Sequence, residues 1–226
     1  MTPTTGHSDF ASRPIGEIAA TLPSATVLFR REKLDFCCGG GVTLAEAAAR
    51  RGTALEPLVA ELATLSPSEP DTISATETPQ LIAHIVARYH QTHRRELPEL
   101  VRLARRVEAA HRDHAAVPAG LAALLESVAG ELEAHQKKEE ILLFPMMLRE
   151  RTDAVAGPIA RMRAEHDETG RELARIVSTT GDMTPPADAC PTWRALYVGL
   201  AKFRNDLMEH VHLENNVLFP RFAAAG

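Results

Sequence analysis

The chain has 226 residues, 45% of them hydrophobic, which is enough for one ordinary domain plus a small one around a buried core. With 25 Lys and Arg against 30 Asp and Glu the net charge is −5, so no basic surface is available to grip nucleic acid or an anionic membrane. No basic region followed by an apolar stretch opens the N-terminus, and no apolar run approaches the roughly 20 residues of a membrane span, so a cytoplasmic protein without nucleic-acid or membrane partners is expected.

Ala, Leu, Glu and Arg dominate, and sustained β-branched alternation is missing, which predicts an all-α chain. From Pro14 to Leu65 the pattern predicts several short helices, one of them begun by the capping box Thr43-Leu44-Ala45-Glu46. Between two of these helices lies Asp35-Phe36-Cys37-Cys38-Gly39-Gly40-Gly41. Its glycines let backbone approach a partner closely, and its vicinal thiols supply nucleophiles or soft ligands. Three cysteines do not make a disulfide framework, so they read as reduced thiols, and Cys37 and Cys38 are assigned as a catalytic pair in a redox or nitrosyl-accepting loop. The polar, turn-rich stretch Ser66 to Thr78 then separates a first domain, 1–65, from a second, 79–226. A linker of this length reaches roughly 20 Å, which allows the loop to dock on its own bundle or on the second subunit of a homodimer.

In the second domain Thr78-Pro79 opens helix A, which runs toward Arg112 with a kink expected at Pro98. Pro118 opens helix B, whose Leu121, Leu124, Leu125, Val128 and Leu132 recur at helical spacing toward Arg149. Helix C covers about Ala154 to Thr179. The breaker Gly181 to Pro186 precedes helix D, from Pro191 to Phe222. Four long helices with short connections predict an up-down-up-down four-helix bundle.

One phrase occurs twice. His135-x3-Glu139-x4-Phe144-Pro145 in helix B matches His210-x3-Glu214-x4-Phe219-Pro220 in helix D. Residues four apart share a helical face, so each phrase aims an imidazole and a carboxylate in nearly one direction. His84 in helix A and His166 in helix C are taken as the remaining donors. In an up-down bundle, the six residues then lie roughly 8 to 18 Å from one end at 1.5 Å per residue. Four imidazoles and two carboxylates suit iron, manganese or zinc, and the absence of nearby thiolates argues against a cluster or a structural zinc site. If both carboxylates and one oxo or hydroxo group bridge two metals, each metal keeps one of about six positions open for a small ligand.

The remaining histidines, His7, His90, His93, His111, His114 and His212, are read as packing or surface residues. Glu131 and Asp206 each stand four residues before a candidate ligand, where a carboxylate reaches the second ring nitrogen or simply faces solvent. Glu165, beside His166, is placed near an access route, and Cys190 is read as a small buried hydrophobe.

The Asp35-Phe-Cys-Cys-Gly-Gly loop, Leu81-Ile-Ala-His84-Ile-Val-Ala-Arg-Tyr-His90, His135-x3-Glu139, Glu165-His166-Asp167-Glu168 and His210-Val-His-Leu-Glu214-Asn-Asn-Val-Leu-Phe-Pro together resemble the repair-of-iron-centres family of the YtfE/ScdA type. The likeness spans nearly the whole chain. It implies a small ScdA-type domain before a hemerythrin-like bundle, with two non-haem Fe ions held by four histidines and two bridging glutamates. It further implies repair of iron-sulfur proteins damaged by nitrosative or oxidative stress, through iron delivery or reduction of nitric oxide, with nitric oxide or O2 as small ligand. A hemerythrin-like sensor of O2, nitric oxide or iron, binding without turnover, is the alternative reading.

Overall fold

The first module is built from short helices that cap and bury one another. In the computed structural model, which describes residues 10–65, 76–149 and 152–222, these are α1 (Ile15–Thr21), α2 (Ala25–Arg31), α3 (Leu44–Arg51) and α4 (Leu55–Thr64). The capping box forms as the sequence predicts. The Glu46 amide donates to the Thr43 hydroxyl at 3.2 Å, and the Thr43 amide donates to the Glu46 carboxylate at 3.0 Å. Helix α3 stops at Gly52, whose φ of 72° is the left-handed conformation that ends helices without steric cost. Ile15, Ile18, Phe29, Phe36, Leu44 and Leu62 close a core in which each fully buried side chain stabilises by about 1.5–3 kcal/mol. Two parallel hydrogen bonds from Arg31 to Glu61, at 2.9 and 2.7 Å, tie α2 to α4. Among the described residues no strand forms; an isolated bridge joins Pro14 and Thr43. The expected linker falls largely on 66–75, outside the described residues.

The long helices follow as α5 (Thr78–Ile85), α6 (Gln91–Ala110), α7 (Leu121–Lys138), α8 (Phe144–Leu148), α9 (Thr152–Thr179) and α10 (Pro191–His212). None among the described residues is long and apolar enough to cross a membrane. Three wider, π-helical stretches interrupt the expected continuous helices, at Val86–His90, Glu139–Leu143 and Leu213–Leu218. Two of them have a sequence cause. Pro145 and Pro220 each follow a candidate glutamate by six residues, and a proline cannot donate to the carbonyl four residues back, so the preceding turn widens instead. The repeat in sequence is therefore a repeat in backbone geometry.

By compactness the described residues divide into those from 83 to 207 and a second unit, those up to 82 together with those from 208 onward. Within the first, α6, α7 and α9 pack in succession. Helix α10 approaches α6 closely at Gly199, where an added Cβ would stand 2.7 Å from Leu100 Cδ2. Nearby Asp206 accepts from Arg88 at 2.7 Å and from Lys202 at 2.8 Å, while Lys202 also reaches Glu96 at 2.7 Å. Asp206 thus ties α10 to the wide turn before α6. The turn after α9 places Gly181, Asp182 and Met183 at positive φ, and the Thr180 hydroxyl accepts from the Met183 amide at 3.1 Å.

Burial alone would raise the Asp206 carboxyl, but Arg88 and Lys202 outweigh it and hold it below the ordinary value. A depressed folded-state value means stability that is complete above about pH 4 and is lost as pH falls through the depressed value. Asp206→Asn is expected to cost about 1 kcal/mol at pH 7, modest because Arg88 is half exposed, and to flatten the acid limb of the stability curve. Urea titrations of both proteins from pH 7 to pH 3 check this; parallel acid limbs would contradict it.

Candidate metal centre

His90 closes the π-helical stretch before α6 and is fully buried. Its Nδ1 lies 2.7 Å from a Glu140 oxygen, which also accepts from Arg94 at 2.8 Å. Burial works against the Glu140 charge, yet Arg94 and His90 keep the carboxyl below its ordinary value, so it accepts the Nδ1 proton. That leaves the Nε2 lone pair of His90 pointing inward, 3.5 Å from Glu139 Oε2. His135, near the end of α7, repeats the arrangement. Its Nδ1 lies 3.0 Å from Glu165 Oε2, and Lys138 and Arg161 bind the same carboxylate at 2.7 and 2.8 Å. Burial again opposes the charge, but these partners bring Glu165 down to about 2. The Nε2 of His135 then faces Glu139 Oε1 at 3.3 Å and His166 Nε2 at 3.1 Å.

Glu139 itself is fully buried, and neither of its oxygens receives a hydrogen bond. Its neighbours on both sides are imidazole lone pairs fixed in that tautomer by outer carboxylates. A buried anion facing lone pairs is a strongly unfavourable arrangement unless a cation sits among them. The donor atoms of His135, Glu139 and His166 lie within 4.8 Å of one another, as do those of His90 and Glu139. These residues fit a metal ion, and their nitrogen and oxygen donors match iron, manganese or zinc.

The structure corrects one expected ligand. His90, and not His84, joins the cluster; His84 instead sets its ring edge-on to Tyr89 at 5.7 Å. The physical reason is depth. Six residues separate the two, roughly 9 Å along a helix and about a third of a turn in direction. His90 lies twelve residues beyond the start of α5 and His166 fourteen beyond the start of α9, so equal depth selects His90. Glu131 and Asp206, for which both a ring-nitrogen contact and a surface position are expected, have other partners. Glu131 accepts from Ser127 at 2.9 Å on the surface, and Asp206 is committed to Arg88 and Lys202. The carboxylates that orient the histidines are Glu140 and Glu165, each the immediate chain neighbour of a candidate ligand. That adjacency is a sequence signal that could have found them.

On the second unit, His210 Nε2 lies 3.1 Å from Glu214 Oε1, both buried, as the four-residue spacing predicts. The following two residues hold the cysteine loop. Asn215 Nδ2 donates to the Cys37 carbonyl at 3.0 Å, and Asn216 Nδ2 donates to the Phe36 carbonyl at 3.0 Å. Asn216 also donates to His212 Nδ1 at 2.9 Å, because burial and the nearby Arg30 push His212 down to about 4 and leave it neutral. His212 is therefore a buried packing residue, its ring edge-on to Phe36 at 5.4 Å. Gly40 has no room for a side chain, since an added Cβ would meet the Phe36 carbonyl at 2.7 Å. The loop of this chain docks on its own last helix.

Cys37 is buried and Cys38 half-buried, both reduced, with sulfurs 3.8 Å apart. Contact with Cys38, burial and Asp35 together push the Cys37 thiol well above its ordinary value, so it stays protonated. Of the other histidines, His93 packs against Phe203, and His111 and His114 flank Trp193. Cys190, expected to be simply buried, is partly exposed with its sulfur 3.2 Å from His111 Nε2.

His90→Ala is expected to remove at least half of the bound metal, whereas His84→Ala retains wild-type content, measured by elemental analysis of proteins loaded identically. Equal loss in both variants would reinstate His84.

Known proteins resemble the chain over both of its modules. The model of the hemerythrin HHE cation binding domain matches residues 81–222, and that of the ScdA_N domain, a domain of unknown function, matches 11–66. The protein called iron-sulfur cluster repair protein YtfE in Musicola paradisiaca is 47% identical over 214 residues, 94% of this chain and 96% of that one. Its namesakes in Cronobacter sakazakii and Escherichia coli O17:K52:H18 are 48% and 47% identical over 217 residues, 95% of this chain and 98% of each. With both domain models in the same order and near-complete coverage on either side, the chain belongs to the hemerythrin HHE family, in the ScdA-type branch that includes the YtfE repair proteins.

Proposed function

We propose that this protein restores iron-sulfur clusters damaged by nitrosative or oxidative stress, using a non-haem di-iron centre in the cytoplasm. The observation that carries the reading is Glu139: its two oxygens face different histidines, Oε1 toward His135 and Oε2 toward His90. A carboxylate addressed separately on each oxygen is suited to serve two metals at once. In this reading His135 and His166 hold one iron, and His90 serves the other. His210 and Glu214 complete the set, supported by the repeated spacing and by the family model that spans both copies. The bound pair would supply one-electron chemistry and an exchangeable position for nitric oxide or O2, with an oxo or hydroxo bridge between the irons.

The chain's own residues set the conditions for this chemistry. Glu140 and Glu165 keep the proton on the outer nitrogen of each imidazole, so the inner nitrogen stays basic. Lys138, Arg161 and Arg94 neutralise those outer carboxylates, which limits the negative charge accumulated around the centre. Cys37 and Cys38 belong to the same reading as a redox or nitrosyl-accepting pair. The partners are damaged iron-sulfur proteins, met as iron acceptors or as beneficiaries of nitric oxide removal.

Purified protein loaded with iron should bind about two irons per chain and restore activity to a nitric-oxide-inactivated cluster enzyme. Glu139→Gln, which keeps size but removes the charge, is expected to lower iron content and repair together by tenfold or more. Full iron content without repair or nitric oxide consumption would leave only a sensor that binds ligand without turnover.

A further inference from the structure

The cysteine loop carries a cluster of donors that the His/Glu centre does not use. Asp35 Oδ1 lies 3.3 Å from Cys37 Sγ, and Cys37 Sγ lies 3.8 Å from Cys38 Sγ. All three donor atoms fall within 4.8 Å of one another. Adjacent residues in an extended chain point their side chains apart, so convergence of both sulfurs needs a specific backbone. Here several contacts impose it: the Cys38 amide donates to Asp35 Oδ1 at 3.0 Å, and Asn215 and Asn216 hold the Cys37 and Phe36 carbonyls. The loop is thus built from both sides, and the sulfurs meet over a carboxylate.

We propose that Asp35, Cys37 and Cys38 form a second metal site, for a thiophilic divalent cation held transiently. Two sulfurs and one carboxylate oxygen prefer soft or borderline cations over magnesium or calcium. Three protein donors leave a tetrahedral ion one ligand short, which distinguishes a site of exchange from a closed structural site. A cavity of about 210 Å³ lies alongside Asp35 and Gly39, with Lys33, Arg50 and Arg51 on its wall. Their positive charge favours an anionic fourth ligand, a thiolate or carboxylate of an acceptor protein. Binding exchanges the two thiol protons for the cation, both protons passing to solvent, with no change of oxidation state. Iron(II) is among the cations that such a donor set accepts, so the site offers a handover point on the loop. That role rests on the proposed repair function, whereas the site itself does not.

The test uses cadmium(II) titrated into the full-length, iron-loaded protein under reducing conditions, read by the sulfur-to-cadmium charge-transfer absorption. His and Glu ligands give no such band, so the His/Glu centre does not contribute. The expected result is a band that saturates at one equivalent. Cys37→Ser and Cys38→Ser should each weaken binding about tenfold or more and remove most of the band, with iron content unchanged. Asp35→Asn should weaken binding while keeping the band, and Asn216→Leu should weaken it by releasing the loop. Absence of a band at one equivalent overturns the proposal. So does a band that survives in the Cys37→Ser/Cys38→Ser double variant, which places it at Cys190. Loss of cluster repair in the presence of an intact cadmium site would instead count against the repair function alone.

Discussion

The buried Glu139 carboxylate organises the helices around it. Glu139 sits fully out of water with no hydrogen bond to either oxygen, and it faces two imidazole lone pairs. Desolvating a carboxylate in this way costs several kcal/mol unless positive charge compensates it. The surrounding architecture makes sense as a response to that constraint. Glu140 and Glu165 hold the imidazoles in the tautomer that turns lone pairs inward, and cationic side chains further out keep those two carboxylates ionised. Outward from Glu139, neutral imidazoles are followed by these two carboxylates and then by the cations that neutralise them.

The internal repeat shows how one helical phrase serves two ends. In both copies a histidine, a glutamate four residues later and a proline six after that produce a wide helical turn at the glutamate. The copies diverge at the next position. After Glu139 comes Glu140, an anion that orients His90; after Glu214 comes Asn215, a neutral amide that donates to the Cys37 carbonyl. One copy spends this position on a metal-ligand candidate, and the other on anchoring the thiol loop. The substitution of an amide for a carboxylate suits the job, since a carboxylate there would have no proton to give a carbonyl.

The small N-terminal module is consequently more than an appendage. Its glycine-rich loop owes its shape to packing against Asn216, as the lack of room for a Cβ at Gly16 and Gly40 shows. The Arg30–Glu209 ion pair at 2.8 Å and the Phe36–His212 ring contact add to the same seam. Thiols held this firmly lose less conformational freedom on meeting a cation or a reactive partner than thiols on a mobile loop.

Helical class, the positions of the short and long helices, the capping box at Thr43 and the His-x3-Glu pairs follow from local rules of period and capping, and the sequence alone carries them. So do the families the chain resembles, because their motifs are short and contiguous. What local rules do not carry is which histidine of a helix faces inward. His84 and His90 are both plausible on helix A, and the choice depends on depth relative to Glu139 on another helix and on the wide turn at Val86–His90. The partners of the imidazoles were hidden for the same reason: Glu140 and Glu165 act on histidines 50 and 30 residues away in the chain. The asparagine clamp on the cysteine loop spans about 180 residues. Composition and spacing determine what each helix is; only packing decides which of its faces meets which neighbour, because that choice is set by contacts between segments that the chain order keeps apart.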